Sequence, residues 1–218
     1  MYDDFSDRII LTNHSRPIGT VVAIDPKSGA IVATVPLEDN GPEGAASDGK
    51  GKIFVNIEDK SVIEVIDSGK LSVEKRWPLA PCKEPSGMAF DEKNGRLFLG
   101  CSNKMMAVVD AGSGRIVTTV PIGEGVDANA FDPSAGLAFA SCGDGTLTVA
   151  HEDSPDKVTV VQTVPTQKSA RTMALDRKTH NVFLAAAQFG PPPSPTPDQP
   201  RPRPMMVPGS FVLLVFGK

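Results

Sequence analysis

Four landmarks recur in one phase along this chain, and together they restrict what it can fold into. The clearest copy of the repeat, Ser86–Ile122, reads SGMAFDEKNGRLFLGCSNKMMAVVDAGSGRIVTTVPI, four short apolar runs with a polar turn between each pair. The Asp closing the first run recurs at Asp48, Asp91, Asp132 and Asp176, at intervals of 43, 41 and 44 residues. The aromatic of the second run recurs at Phe54, Phe98, Phe139 and Phe183, spaced 44, 41 and 44. The Asp ending the third recurs at Asp25, Asp67 and Asp110, and the Pro closing the fourth at Pro36, Pro78, Pro121 and Pro165. A period of about 40–45 residues carrying four strands is the signature of a β-propeller blade. The expected fold is all-β: a propeller of four-stranded antiparallel blades, one domain over residues 1–218.

Labelling the strands of each blade A to D from the axis outward lays the repeat along the chain. The blades span about 1–36, 44–78, 86–121, 127–165 and 171–218. Met1-Tyr2-Asp3 matches the Ala89-Phe90-Asp91 end of a strand A, so the chain opens inside an innermost strand. In blade five, strand C (Ser210–Phe216) follows a long insertion and no strand D remains. The count is about four and a half blades, ragged at both ends, whereas propellers close a ring of about 4–8 by joining first and last. The expectation is an incomplete ring, the downstream part of a longer propeller, with self-association through open strand edges such as the apolar Phe211–Phe216. An unrelated β-sandwich would not carry so regular a period.

The insertion Gly190–Pro208 holds nine prolines in nineteen residues. Such a segment favours polyproline II and cannot join a ladder. It reads either as a passive surface loop or as a lid or proline-rich ligand for an aromatic groove.

Composition removes several function classes. Net charge is −4, with no basic stripe to follow a phosphate backbone, so nucleic acid is not an expected partner. No apolar run approaches the ~18 residues of a membrane-spanning helix, and MYDDFSDR has neither the basic nor the apolar region of a signal peptide. The three cysteines lack metal-type spacing. Cys101 and Cys142 hold equivalent positions in neighbouring blades, too far apart for the ~7 Å limit between bridged Cα atoms. All three are expected as free thiols.

Repeat phase also sorts polar residues by face. Loops entering strand A and loops from B to C share the top face; A–B and C–D turns share the bottom. His151 and His180 fall on the bottom as expected solvated turn residues, whereas His14 follows strand B of blade one on the top. Five residues before the repeat Asp stand Glu43, Ser86, Asp127 and Arg171, expected to ring the mouth of the central tunnel. Two carboxylates, an Arg and a nearby His around a concave opening form a candidate ligand site. Glu43 and Asp127 are the candidate ligands of a divalent cation such as Ca²⁺, and His14 and Asp127 the candidate catalytic groups. The alternative is that these side chains merely pair with each other and with water. No G-x-S-x-G or H-E-x-x-H motif is present.

The strand C and D pairs VVAIDPKSGAIVATVPL (Val21–Leu37) and MAVVDAGSGRIVTTVPI (Met106–Ile122) resemble the YVTN family of β-propellers, the YncE-like proteins. Around them MAFDEKNGRLFLG (Met88–Gly100) and NAFDPSAGLAFAS (Asn129–Ser141) match its turn and Val-rich strand pattern. The resemblance covers nearly the whole chain. It implies a secreted, periplasmic or surface-layer setting and a ring with more blades than are counted here. It also implies a non-enzymatic scaffold binding a small molecule or a protein partner on its top face. A second function is a metal-dependent lactonase- or lyase-like hydrolase at the tunnel mouth, where a cation polarises a carbonyl and a base activates water. A third is an inactive fragment that associates through its edges.

Overall fold

The computed structural model describes residues 1–15, 17–196, 199–200 and 202–217. Positions 197, 198 and 201 of the proline-rich insertion, and position 218 of blade five, fall outside that range. Five antiparallel sheets succeed one another along the chain. The first holds β1 (Tyr2–Asp3), β2 (Arg8–Asn13), β3 (Thr20–Ile24) and β4 (Ile31–Pro36). The second holds β5 (Pro42–Ser47), β6 (Lys52–Ile57), β7 (Val62–Asp67) and β8 (Ser72–Pro78). The third holds β9 (Pro85–Asp91), β10 (Arg96–Cys101), β11 (Met105–Asp110) and β12 (Ile116–Pro121). The fourth holds β13 (Val126–Asp132), β14 (Leu137–Cys142), β15 (Thr146–Ser154) and β16 (Lys157–Pro165). The fifth has three strands among the described residues, β17 (Thr172–Asp176), β18 (Asn181–Ala186) and β19 (Val212–Phe216). Innermost strands of all five sheets line one central channel, so the sheets are the blades of a β-propeller. Where the sequence counts about four and a half blades, the structure has five sheets, the last of them a strand short.

The repeat residues build this arrangement locally. Each repeat Asp folds an A–B turn by accepting backbone N–H groups. Lys50 N–H donates to Asp48 at 2.8 Å, Lys93 N–H to Asp91 at 3.0 Å and Lys178 N–H to Asp176 at 2.9 Å. Asp25, Asp67 and Asp110 do the same for C–D turns, accepting from Lys27, Lys70 and Ser113. Each terminal Pro sits on an outermost strand, where a missing N–H harms no ladder.

Packing between sheets then follows from the repeat aromatic. Phe98 lies parallel to Phe131 of the next sheet with ring centroids 5.0 Å apart, and Phe54 contacts Phe90 of the next sheet at 5.9 Å. Four apolar clusters form, one at each junction from the first sheet to the fifth. Strands β6, β10 and β14 are buried from their second residue to their last because a sheet covers each face. Strands β2 and β18 instead follow the two-residue alternation of a half-covered sheet. Ile10 is buried while Ile9 and Leu11 are 39% and 52% exposed; on the fifth sheet Leu213 and Val215 are exposed. Among the described residues no buried cluster joins the fifth sheet to the first, and Phe183, the last repeat aromatic, belongs to none of the four.

Near the axis the inner strands crowd. A Cβ on Gly44 would lie 2.7 Å from the Ser86 carbonyl oxygen, and one on Gly87 2.5 Å from the Asn129 nitrogen, so neighbouring inner strands approach where no side chain intervenes. The cysteines depart from expectation. Cys82, in the loop entering the third sheet, is disulfide-bonded to Cys101 at the top of β10, with Cα atoms 5.4 Å apart. Repeat spacing separates Cys101 from Cys142 but says nothing of Cys82, which the fold returns to the same end of its own blade. Cys142 is a free, buried thiol that burial pushes up to about 11.

This packing makes a graded stability prediction. Phe98→Ala removes a fully buried ring and should cost about 3–5 kcal/mol in urea unfolding. Leu213→Ala, on the uncovered face, should stay within about 0.5 kcal/mol of the parent. Equal losses would mean that the fifth sheet is covered in solution.

Candidate functional site at the mouth of the central channel

Strand A alternates its side chains, so positions three and one before the repeat Asp share one face, while in β5, β9 and β13 a register shift falls at position five. Position five holds Glu43, Ser86, Asp127 and Arg171, the residues expected at the mouth, and none of the four is among the walls of the channel. At position three Ala45, Met88, Asn129 and Met173 line a channel of about 400 Å³ with the inner strands of all five sheets. Its lower end is charged, with Asp4, Glu92 and Arg177 among its walls.

The mouth is held by buried polar side chains on the second strand of the preceding sheet. Two residues after the repeat aromatic, Asn56 Nδ2 donates to the Ser86 carbonyl at 2.9 Å, and Ser141 Oγ donates to the Arg171 carbonyl. In the first sheet, Thr12 Oγ1 donates to the Glu43 carbonyl at 3.2 Å. Asn56 and Ser141 have no solvent exposure. The third sheet has Gly100 at this position, and there Ser86 Oγ donates to the Val126 carbonyl at 2.9 Å. These donors saturate carbonyls that the inner strands would otherwise bury unpaired.

The mouth side chains pair across sheet boundaries. His14 Nε2 lies 3.2 Å from Glu43 Oε1, and Arg171 Nε lies 3.8 Å from Asp127 Oδ1, whose second oxygen accepts from Thr172 Oγ1 at 3.2 Å. His14 also lines a surface pocket with Glu58 and Asp59. Burial, and then the charges of Glu43, Asp59 and Glu84, push the Glu58 carboxyl above its usual range, while His14 acts the other way. Among the described residues no three His, Cys, Asp or Glu side chains converge at metal-binding distance. The proposed cation ligands Glu43 and Asp127 thus each have a neighbouring partner, and the Ser86 hydroxyl is committed to a carbonyl.

On the bottom face His180 does more than fill a turn. Its Nδ1 lies 2.7 Å from Asp132 Oδ2 of the preceding sheet, and Asp132 also accepts from Ser134 Oγ at 2.8 Å. Ser134 Oγ also lies 3.4 Å from His180 Nδ1, so the three side chains form one cluster that ties the fourth sheet to the fifth. His151 pairs within its own sheet, Nδ1 to Asp153 at 2.8 Å. Next to it the half-buried Glu152 is pushed up to about 7, first by burial and then by the charge of Asp91, while the Asn94 side chain at 3.1 Å acts against the rise.

That shift fixes a sign for pH dependence. The unfolded carboxyl releases its proton near its ordinary value of 4.5, whereas the folded one keeps it until about 7. Folding is therefore favoured by this group below 4.5, and the contribution disappears as pH rises through 7. Thermal unfolding should show the parent losing stability relative to Glu152→Gln across that window, with a constant gap above it. Parallel curves at every pH would contradict the assignment.

No protein-family model matches this chain, and no curated protein matches it. Among solved structures it is similar to Kuenenia stuttgartiensis hydrazine synthase, with a TM-score of 0.61 and 13% identity, covering 69% of this chain and 43% of that one. It is also similar to a chain of a mitotic checkpoint complex, with a TM-score of 0.65 and 15% identity, covering 80% of this chain and 59% of that one. The chain spans less than two thirds of the length of either. At such identities the likeness shows the fold alone, a β-propeller.

Proposed function

We propose that this protein is a non-enzymatic β-propeller scaffold of the YVTN type that takes a small ligand or a protein partner at its top face. The observation that carries this reading is the fixed polar mouth: His14, Glu43, Ser86, Asp127 and Arg171 are each tied to a neighbouring residue above a channel lined by five strands. Prearranged polar groups around a concavity favour binding with little ordering cost. The Cys82–Cys101 disulfide suits an oxidising compartment, periplasmic or extracellular.

The ring in this reading is open between the fifth sheet and the first. Support comes from the exposed apolar faces there, Ile9 and Leu11 on one side and Leu213 and Val215 on the other. Faces of this kind are where further sheets or another chain would pack.

A second reading, metal-dependent lactonase- or lyase-like hydrolysis with Ca²⁺ at Glu43 and Asp127, draws support from Glu58, which burial first and then the neighbouring charges of Glu43, Asp59 and Glu84 push upward. The two readings separate cleanly by metal analysis and a lactone-opening assay on the parent and on Asp127→Ala. The scaffold reading expects the same trace metal in both proteins and no lactone opening. One equivalent of cation and an activity that both vanish in Asp127→Ala would replace it with the hydrolase.

A further inference from the structure

On the bottom face, beside the lower end of the channel, a second concavity of about 390 Å³ opens between A–B turns. Lys50, Lys93 and Arg177 reach it from the turns of the second, third and fifth sheets, and Phe90 and Pro133 add apolar walls. Repeat phase puts all three cations on this face. Lys50 and Lys93 each stand two residues after a repeat Asp, and Arg177 stands one after it. Those aspartates pin the turns: the N–H groups of Lys50, Lys93 and Lys178 donate to Asp48, Asp91 and Asp176 at 2.8, 3.0 and 2.9 Å. Phe90 is backed by Phe54, with ring centroids 5.9 Å apart.

The charges gathered there are not matched within the protein. Among the described residues none of the three cations makes an ion pair. Lys52 and Lys70, in the same second sheet, are by contrast paired with Asp67 and Glu74. Two carboxylates border the concavity. Asp91 is buried and already accepts the Lys93 and Asn94 N–H groups, each at 3.0 Å. Glu92 is exposed. Three cations therefore face one exposed carboxylate, on a chain whose net charge is −4. Charges of one sign fixed around a concave, partly apolar wall focus the field and raise the local concentration of counter-ions.

We infer that this concavity binds a compact organic polyanion, a molecule carrying two or more phosphate or carboxylate groups on a small apolar frame. Lys50 and Lys93 supply point charges, and Arg177 supplies a planar fork that takes two oxygens at once. Phe90 and Pro133 give the frame an apolar surface to lie against. A single anionic group would meet one cation and be opposed by Glu92; two or more groups draw on all three cations. Three cations on an acidic protein suit a small molecule and fall short of the basic stripe that a nucleic-acid backbone needs. The site lies on the face opposite the polar mouth, so it stands whether or not a ligand binds there.

The test titrates the whole protein with inorganic pyrophosphate, with phthalate and with acetate, following amide spectra at low ionic strength. Pyrophosphate or phthalate should saturate, with shifts confined to Gly49, Lys50, Glu92, Lys93 and Arg177, and acetate should bind at least about tenfold more weakly. Tighter binding of pyrophosphate assigns the site to phosphate groups, and tighter binding of phthalate to carboxylates on an apolar ring. Lys93→Gln and Arg177→Gln should each weaken binding at least about fivefold, and Glu92→Gln should tighten it about threefold. A gain in affinity cannot come from unfolding, so Glu92→Gln separates recognition from stability. Absence of saturable binding by either polyanion overturns the proposal. An equal response to acetate, shifts at Asp127 and Arg171 instead, or unchanged affinity in Lys93→Gln and Arg177→Gln overturns it too, leaving nonspecific counter-ion binding only.

Discussion

One contact holds this architecture together: the repeat aromatic of a sheet's second strand, seated on the innermost strand of the next sheet. Phe54 against Phe90 and Phe98 against Phe131 are two instances, and Phe139 packs in the cluster that includes Leu175. A single four-stranded sheet cannot cover both of its faces. Each blade is therefore stable only against neighbours, and stability is a sum over junctions as in other repeat proteins. Among the described residues buried clusters flank the middle sheets on both sides and the terminal sheets on one, and β6, β10 and β14 are buried on both faces while β2 and β18 alternate.

The same repeat sets out the polar architecture. Two residues beyond the aromatic, side chains of Thr12, Asn56 and Ser141 reach the carbonyl of the following sheet's mouth residue. Where that position is Gly100, inner strands close in and Ser86 supplies the bond from the other side. Apolar packing and mouth geometry are thus two consequences of one junction. The mouth pairs His14–Glu43 and Arg171–Asp127 sit on top of these struts at half-exposed positions, where ion pairs contribute little to stability.

Much of the fold was legible because its causes are periodic. Turn-forming Asp, core Phe and strand-ending Pro recur in phase, so the all-β propeller and the antiparallel strand order within its sheets could be read directly. Repeat phase likewise put Glu43, Ser86, Asp127 and Arg171 at one equivalent position, five residues before the repeat Asp. What escaped the sequence depends on juxtapositions that the period does not encode. Cys82 meets Cys101 because a loop returns to the top of its own blade. His180 meets Asp132 because an A–B turn of the fifth sheet leans on the fourth. Lys50, Lys93 and Arg177 share one concavity because A–B turns of three sheets converge beside the channel.

Sheets stabilised by their neighbours, in a ring proposed to be open between the fifth and the first, should lose structure from the two ends inward. Native-state hydrogen exchange on the protein alone, at low concentration, tests it most directly. Amides of β6, β10 and β14 should be the most protected, with protection declining toward β2 on one side and β18 and β19 on the other. Uniform protection through all five sheets, β19 included, would mean that the ring closes between its ends, and would contradict the account.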